Sequence, residues 1–223
     1  MLKSIKTSVL AVILISTAVI AHAQKKVNEG TLTYGITYEL TPEQQSMAAQ
    51  LPAETKLKFN GNLLKIEMQQ GPAKITIISD GVQRNGLVLV DIPPIQKQYA
   101  VKTTREETEQ TMGKAPVLSD FKATGEKVKI GDYNTEKYTY KDDKGAALEL
   151  WATNDIQLPE GIIGEEFKAL KGTPIKFTRV QNGVKAILTI KAVGEDKVGP
   201  ITLDVPAAYE VTTMDALKAM GGQ

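Results

Sequence analysis

Residues 31–40 read Thr-Leu-Thr-Tyr-Gly-Ile-Thr-Tyr-Glu-Leu, and this stretch decides the fold class. Leu32, Tyr34, Ile36, Tyr38 and Leu40 share one face, while Thr31, Thr33, Thr37 and Glu39 share the other. Successive side chains leave opposite sides of a pleated strand, so unbroken period two marks a half-buried strand. Thr, Tyr and Ile fit that surface well.

The same pattern recurs outward from this stretch. Strands are expected at 56–60, 63–69, 73–79, around 82–84, 87–92, 96–103, 126–130, 136–141, 147–152, 174–181, 184–193 and 197–205. Turn residues punctuate them: Asn60-Gly61, Gly71-Pro72, Asp80-Gly81, Gly131-Asp132, Gly145 and Asn182-Gly183. Helices are few. Thr41-Pro42 with Gln44 reads as a capping box opening a short helix over 42–51, and a second starts near Thr212 and ends at Gly221. Residues 104–122 are polar, a surface loop or weak helix. Residues 153–171 form a non-strand insert with Ile156, Leu158, Ile162, Ile163, Phe167 and Leu170 as its apolar members. The expected class is therefore mainly β: one large antiparallel sheet of about eleven strands with two or three short covering helices. Such a sheet must close, pair or be covered, because its apolar face and its edges are costly in water.

The chain has 223 residues, no Cys and one His. Residues 1–23 carry Lys3 and Lys6, an apolar run from Val9 to Ile20, and Ala21-His22-Ala23, the pattern of a cleavable export signal. The apolar run is too short for a comfortable membrane span. The expected product is one domain over 24–223, periplasmic or secreted. It would contain neither His nor Cys, which excludes Ser-His-Asp and Cys-His catalysis, Cys/His zinc sites and disulfides. Without Lys3 and Lys6 the balance is 25 basic against 26 acidic residues. The Lys residues are dispersed, so no nucleic-acid footprint is expected.

The dinucleotide fingerprint, the P-loop, the nucleophile elbow and the zinc-protease helix are absent from the sequence. Residues 132–143 imitate a calcium loop, but Lys137 stands where such a loop needs Gly, and Tyr138 and Tyr140 alternate as in a strand. Glu106/Glu107, Asp142/Asp143 and Glu165/Glu166 are neighbours in sequence rather than opposed catalytic groups. No cofactor and no metal are expected.

The order of several segments resembles a known group of chains. These are Glu29-Gly-Thr-Leu-Thr-Tyr34, Gly61-Asn-Leu-Leu-Lys-Ile66, Ile77-Ile-Ser-Asp-Gly81, Gly125-Glu-Lys-Val-Lys-Ile-Gly-Asp-Tyr133, Leu150-Trp-Ala-Thr-Asn-Asp155, Lys171-Gly-Thr-Pro174 and Val205-Pro-Ala-Ala-Tyr209. Together they resemble a bacterial exported family of unknown function, itself similar to the periplasmic lipoprotein carriers of the LolA/LolB-like superfamily. The sequence departs from that family at Asn134-Thr135, where a Cys is common, and at Ala208, where a Gly is common. The resemblance implies a half-barrel sheet whose concave apolar face, partly covered by short helices, holds an acyl chain or a lipid-modified protein.

The expected function is non-enzymatic binding of an apolar ligand, with a lipid or lipoprotein cargo and an envelope protein as partners. Tyr34, Ile36, Tyr38, Phe59, Ile66 and Met68 are the expected lining, Met47 and Leu51 the lid, and Trp151 a wall of the pocket. Two rivals stand beside it. One is an interaction module without a small-molecule ligand. The other is a carboxylate- or Lys-based hydrolase, which would need converging acids such as Asp80, Asp91 or Asp155.

Overall fold

A computed structural model describes residues 24–181 and 183–221. The expected export signal at 1–23, and Asn182 of the Asn-Gly turn, lie outside the described residues. The strands are β1 (Lys25–Lys26), β2 (Glu29–Glu39), β3 (Glu54–Asn60), β4 (Leu63–Gln70), β5 (Ala73–Asp80), β6 (Gly86–Ile92) and β7 (Lys97–Thr103). Helix α1 (Arg105–Met112) follows. Then come β8 (Ser119–Ile130), β9 (Tyr133–Lys141), β10 (Ala147–Thr153), β11 (Ile156–Gln157), β12 (Thr173–Gln181), β13 (Val184–Gly194), β14 (Glu210–Val211) and helix α2 (Met214–Gly221).

The protein is mainly β, with few helices. Twelve strands form one sheet in the order β14-β7-β6-β5-β4-β3-β2-β13-β12-β10-β9-β8, and β1 pairs with β11 separately. The β14 and β8 edges do not meet, so the sheet is open. Every neighbouring pair in it is antiparallel except β14 with β7, which is parallel. Strand β2 joins two meanders, pairing with β3 on one side and β13 on the other.

Several expected elements differ in the structure. Residues 82–84 are a turn, not a strand. The Asp80 carboxylate accepts from the Val82 and Gln83 amides at 2.8 Å, which closes the turn locally. Residues 197–205 make no ladder, although Ile201, Leu203 and Val205 alternate; they lie against Ile78, Leu87, Leu89 and Ala100 on one face of β5–β7. One-sided burial produces the period-two pattern with or without strand pairing. The helix over 42–51 is a 3₁₀ helix, Pro42–Gln50, and it is mostly exposed rather than a cover for the sheet. The polar region 104–122 divides into α1 and the start of β8.

The principal core lies on the other face of the sheet. Leu32, Phe59, Leu150, Ile175, Phe177 and Ile190 are almost fully buried there, and Ile162, Ile163, Phe167 and Leu170 of the long insert pack down onto them. Phe177 is the hinge of this packing. It meets Tyr34 edge-on at 6.2 Å and Phe167 at 5.0 Å between ring centroids. The insert, rather than a short helix, covers this half of the sheet.

Buried phenols make the core sensitive to alkali. Burial raises the pKa of Tyr34, Tyr133 and Tyr138, and pushes Tyr140 up to about 12. The unfolded chain releases these protons near pH ~10. Folded-state values above that mean stability is complete below pH ~10 and is lost as pH rises toward ~12. A phenolate absorbance titration run beside circular dichroism is expected to show the buried tyrosines ionising together with loss of the β signal. Ionisation of all seven tyrosines near pH ~10 in an intact fold would contradict this.

Candidate functional site

Three successive antiparallel pairings fix the register of β4–β7, and the register aligns apolar residues into rows. Ile66, Ile77, Val88 and Val101 sit directly opposite one another, strand to strand. Met68, Ile75, Val90 and Tyr99 form the adjacent row. Both rows lie on the face that carries the principal core, because Leu64, two residues before Ile66, is opposite the core residue Phe59. At ~4.8 Å per strand, each row spans about 14 Å.

Burial varies along this band. Val90, Tyr99 and Val101, toward β7, are buried. Ile66, Ile75, Ile77 and Val88 are only half-buried, and Met68 is 43% exposed. An apolar strip with intermediate exposure therefore separates the insert-covered half of the sheet from the β7 margin. Apolar surface in contact with water is unfavourable at about 25 cal/mol per Å², so covering such a strip is favourable.

At one end of the band the apolar rows give way to Ser79, Gly86 and Thr103. Beyond them is a cleft of about 260 Å³ between the 80–85 turn, α1, the loop after it and the insert. Its walls are apolar at Pro116, Val117, Leu118 and Ala169, and its charged groups are Arg84, Arg105, Lys114, Lys168, Glu109, Glu165 and Glu166. Thr104 caps α1, accepting from the Glu107 amide at 3.2 Å, which sets the direction of the helix into the cleft wall. Arg105 reaches Glu109 at 3.0 Å and Glu165 at 3.3 Å, so it ties α1 to the insert. The Glu109 carboxyl is held below the usual range first by its hydrogen bond from Arg105 and then by Arg84 and Lys114 nearby.

Arg84 is held in an unusual way. Its backbone has φ 60°, a left-handed conformation that costs a non-glycine residue about 1–2 kcal/mol. The Asp80 turn imposes it, with the Arg84 amide donating to the Asp80 carbonyl at 2.9 Å. The guanidinium is largely buried, donating to Glu109 at 3.2 Å and to the Gly113 carbonyl at 2.9 Å. The turn itself is pinned to the insert by close backbone approach of Gly81 and Gly161. A Cβ on Gly81 would lie 2.3 Å from the Gly161 carbonyl oxygen.

The residues expected to line a groove fall into separate places. Tyr34 and Phe59 are inside the filled core, and Ile36 and Ile66 pack against it. Tyr38 lies at the margin, its hydroxyl donating to the Pro52 carbonyl at 3.1 Å. Met47 is 43% exposed on the 3₁₀ helix, and Leu51 follows at that helix's end, half-buried. Trp151 projects from the opposite face to Leu150 and Ala152, with the Lys137 ammonium 6.0 Å from its ring centroid. Of the nine, Ile66 and Met68 belong to the half-buried band. Asp80 and Asp91 lie at opposite ends of the β5–β6 pair, and Asp155 is taken up by the Asn134 amide at 2.7 Å. Sequence reasoning passed over Ile75, Ile77, Val88 and Val101, although alternation within four hairpin-linked strands contains that register. It also passed over Arg84, which read as strand.

Among the described residues no group of His, Cys, Asp or Glu is arranged to hold a metal ion, and no helix is long and apolar enough to cross a membrane. A comparison with curated proteins gives no match. A family model matches residues 43–161, from the 3₁₀ helix through β3–β11 to the middle of the insert. That span contains both apolar rows and three of the four basic residues of the cleft, Arg84, Arg105 and Lys114. It covers more than half of the chain, which therefore belongs to the family described as "Domain of unknown function (DUF4412)".

Proposed function

We propose that the protein is a non-enzymatic, exported acyl-chain binder whose binding surface is the half-buried band on β4–β7. The observation that carries this reading is the pair of apolar rows, Ile66-Ile77-Val88-Val101 and Met68-Ile75-Val90-Tyr99, in direct cross-strand register. A strip that is aliphatic except for Tyr99 at its β7 end suits a flexible hydrocarbon, which needs contact area rather than directional bonds. Met68 at its exposed margin adds an adaptable, polarizable contact. Curvature of the open sheet into a half-barrel, kinship with the LolA/LolB-like carriers, and residence in the periplasm or outside the cell belong to this reading.

The groove differs from the one expected around Tyr34 and Phe59, where the insert already occupies the face. The ligand here lies beside that filled half. The rival reading, an interaction module docking through a sheet edge, has less support. Edge strand β8 carries Lys122, Lys127 and Lys129 and two register irregularities, features that blunt an edge against pairing. The opposite edge is the two-residue β14.

Native mass spectrometry of protein purified from the envelope without detergent is expected to reveal a co-purifying acyl species. Each buried CH₂ contributes about 0.8 kcal/mol. Lengthening a saturated probe by two carbons is therefore expected to tighten binding by about tenfold until the band is filled. Ile77→Lys, on the half-buried strip, is expected to abolish uptake while leaving the β circular dichroism signal in place. Affinity independent of chain length, or unchanged in Ile77→Lys, would remove the band from consideration.

A further inference from the structure

We propose that the acyl ligand carries an anionic head, a carboxylate or a phosphate, and that the cleft beside Arg84 receives it. This rests on the acyl-binding reading above and names the ligand's chemical class.

The cleft and the band border the same core. Leu118 of the cleft wall packs against the same core as Ile66 and Leu64 of β4. Arg84 lies two residues beyond Gly86, and Arg105 two beyond Thr103, so both basic residues stand at the same end of the rows. Strands rise ~3.4 Å per residue, which places the far row, at Val90 and Tyr99, about 14 Å from the strand ends at Gly86 and Thr103, beyond which Arg84 and Arg105 lie. A long saturated chain spans that distance while its head remains at the cleft.

The charge balance there is positive. Four basic groups face three carboxylates, and Glu166 is already paired at 2.7 Å with Arg179, which is outside the lining. Arg84 and Arg105 are fixed by hydrogen bonds to Glu109, while Lys114 makes no ion pair among the described residues. Arg84 uses two of its five N–H donors on Glu109 and the Gly113 carbonyl. A planar guanidinium held in this way is suited to a carboxylate or phosphate, which it binds through paired hydrogen bonds. The left-handed Arg84 backbone strengthens the case. Asn or Gly would relieve the strain in the same turn, so the guanidinium occupies a position where its backbone is disfavoured.

The test uses delipidated protein and four probes: palmitate, hexadecyl phosphate, the neutral hexadecanol, and inorganic phosphate alone. Palmitate and hexadecyl phosphate are expected to bind at least about tenfold more tightly than hexadecanol at low ionic strength. Arg84→Asn keeps the left-handed turn accessible and removes the guanidinium. It is expected to erase most of that preference with a much smaller effect on hexadecanol affinity, and circular dichroism checks that the fold survives loss of the Arg84 bonds to Glu109 and the Gly113 carbonyl. Lys168→Glu, at the exposed rim, is expected to reduce the preference in the same direction. Equal affinity for hexadecanol and palmitate would overturn the anionic-head inference while leaving the acyl-binding reading standing. So would an Arg84→Asn variant that weakens both alike, or inorganic phosphate binding at the cleft without competing with palmitate. Failure of all three long-chain probes would overturn the acyl-binding reading itself.

Discussion

Replacing Phe177 with alanine is expected to cost about 3–5 kcal/mol of folding stability. The ring is 1% exposed on β12 and contacts both Tyr34 of β2 and Phe167 of the insert. Truncation removes the transfer free energy of a large aromatic side chain and leaves a cavity among residues held by two sheet strands and a loop. Little collapse is available, because Leu32 and Ile190 of the same core are already in ladder positions. A domain of this kind has only about 5–15 kcal/mol in total, so the variant loses a large part of it. Urea denaturation followed by tyrosine and tryptophan fluorescence measures the change in midpoint. A loss below about 1 kcal/mol would mean that the insert does not rest on Phe177 in solution.

Gly161→Ala is expected to destabilise by about 2–5 kcal/mol, for two separable reasons. Its φ of +80° is one that a Cβ disfavours, and that Cβ would stand 2.4 Å from the Gly81 carbonyl carbon. Gly81→Ala isolates the second reason. Gly81 lies outside the left-handed region, but its Cβ would meet the Gly161 carbonyl oxygen at 2.3 Å. A smaller loss of about 1–3 kcal/mol is therefore expected for Gly81→Ala. The two substitutions press on one contact, so the double variant is expected to lose less than the sum of the singles. Strict additivity in urea denaturation would show that the two backbones do not touch. Both variants also part the 80–85 turn from the insert that bears Glu165 and Lys168, so the cleft is expected to lose its shape before the sheet loses its ladders.

Period two located most of the ladder, from β2 through β13, because many of these strands bury one face more than the other, whereas the first half of β8, exposed along nearly all its length, gave no such signal. The same reasoning failed at 197–205 for an instructive cause. Ile201, Leu203 and Val205 alternate because they lie across a sheet face, and alternation reports burial rather than hydrogen bonding. Residues 82–84 failed because an Asp side chain, not the hydrophobic pattern, shapes the turn. Which half of the sheet is filled was not legible. Ile162, Ile163, Phe167 and Leu170 have no repeating period, and nothing local says which strands they cover. The orientation of Trp151 was legible in principle, since Leu148, Leu150 and Ala152 take the other face of β10. The basic end of the cleft gathers residues from four separate segments, a convergence that spacing along the chain does not encode.

The position of β2 governs the order in which the chain can assemble. Strands β3–β7 pair with immediate neighbours in sequence, so that meander closes only short loops. Strand β2, made early, lies in the middle of the finished sheet and pairs with β13, where Leu188 faces Ile36 across more than 150 residues. Closing a loop of that length raises the entropic barrier and slows folding. Until residues 184–194 emerge, Leu32, Tyr34 and Ile36 stand on an unpaired edge, the kind of strand that recruits another chain. A nascent or truncated copy lacking β13 is thus an aggregation hazard for a kinetic reason. The cell's chance to capture it lies in the interval between synthesis of the first long strand and synthesis of its distant partner.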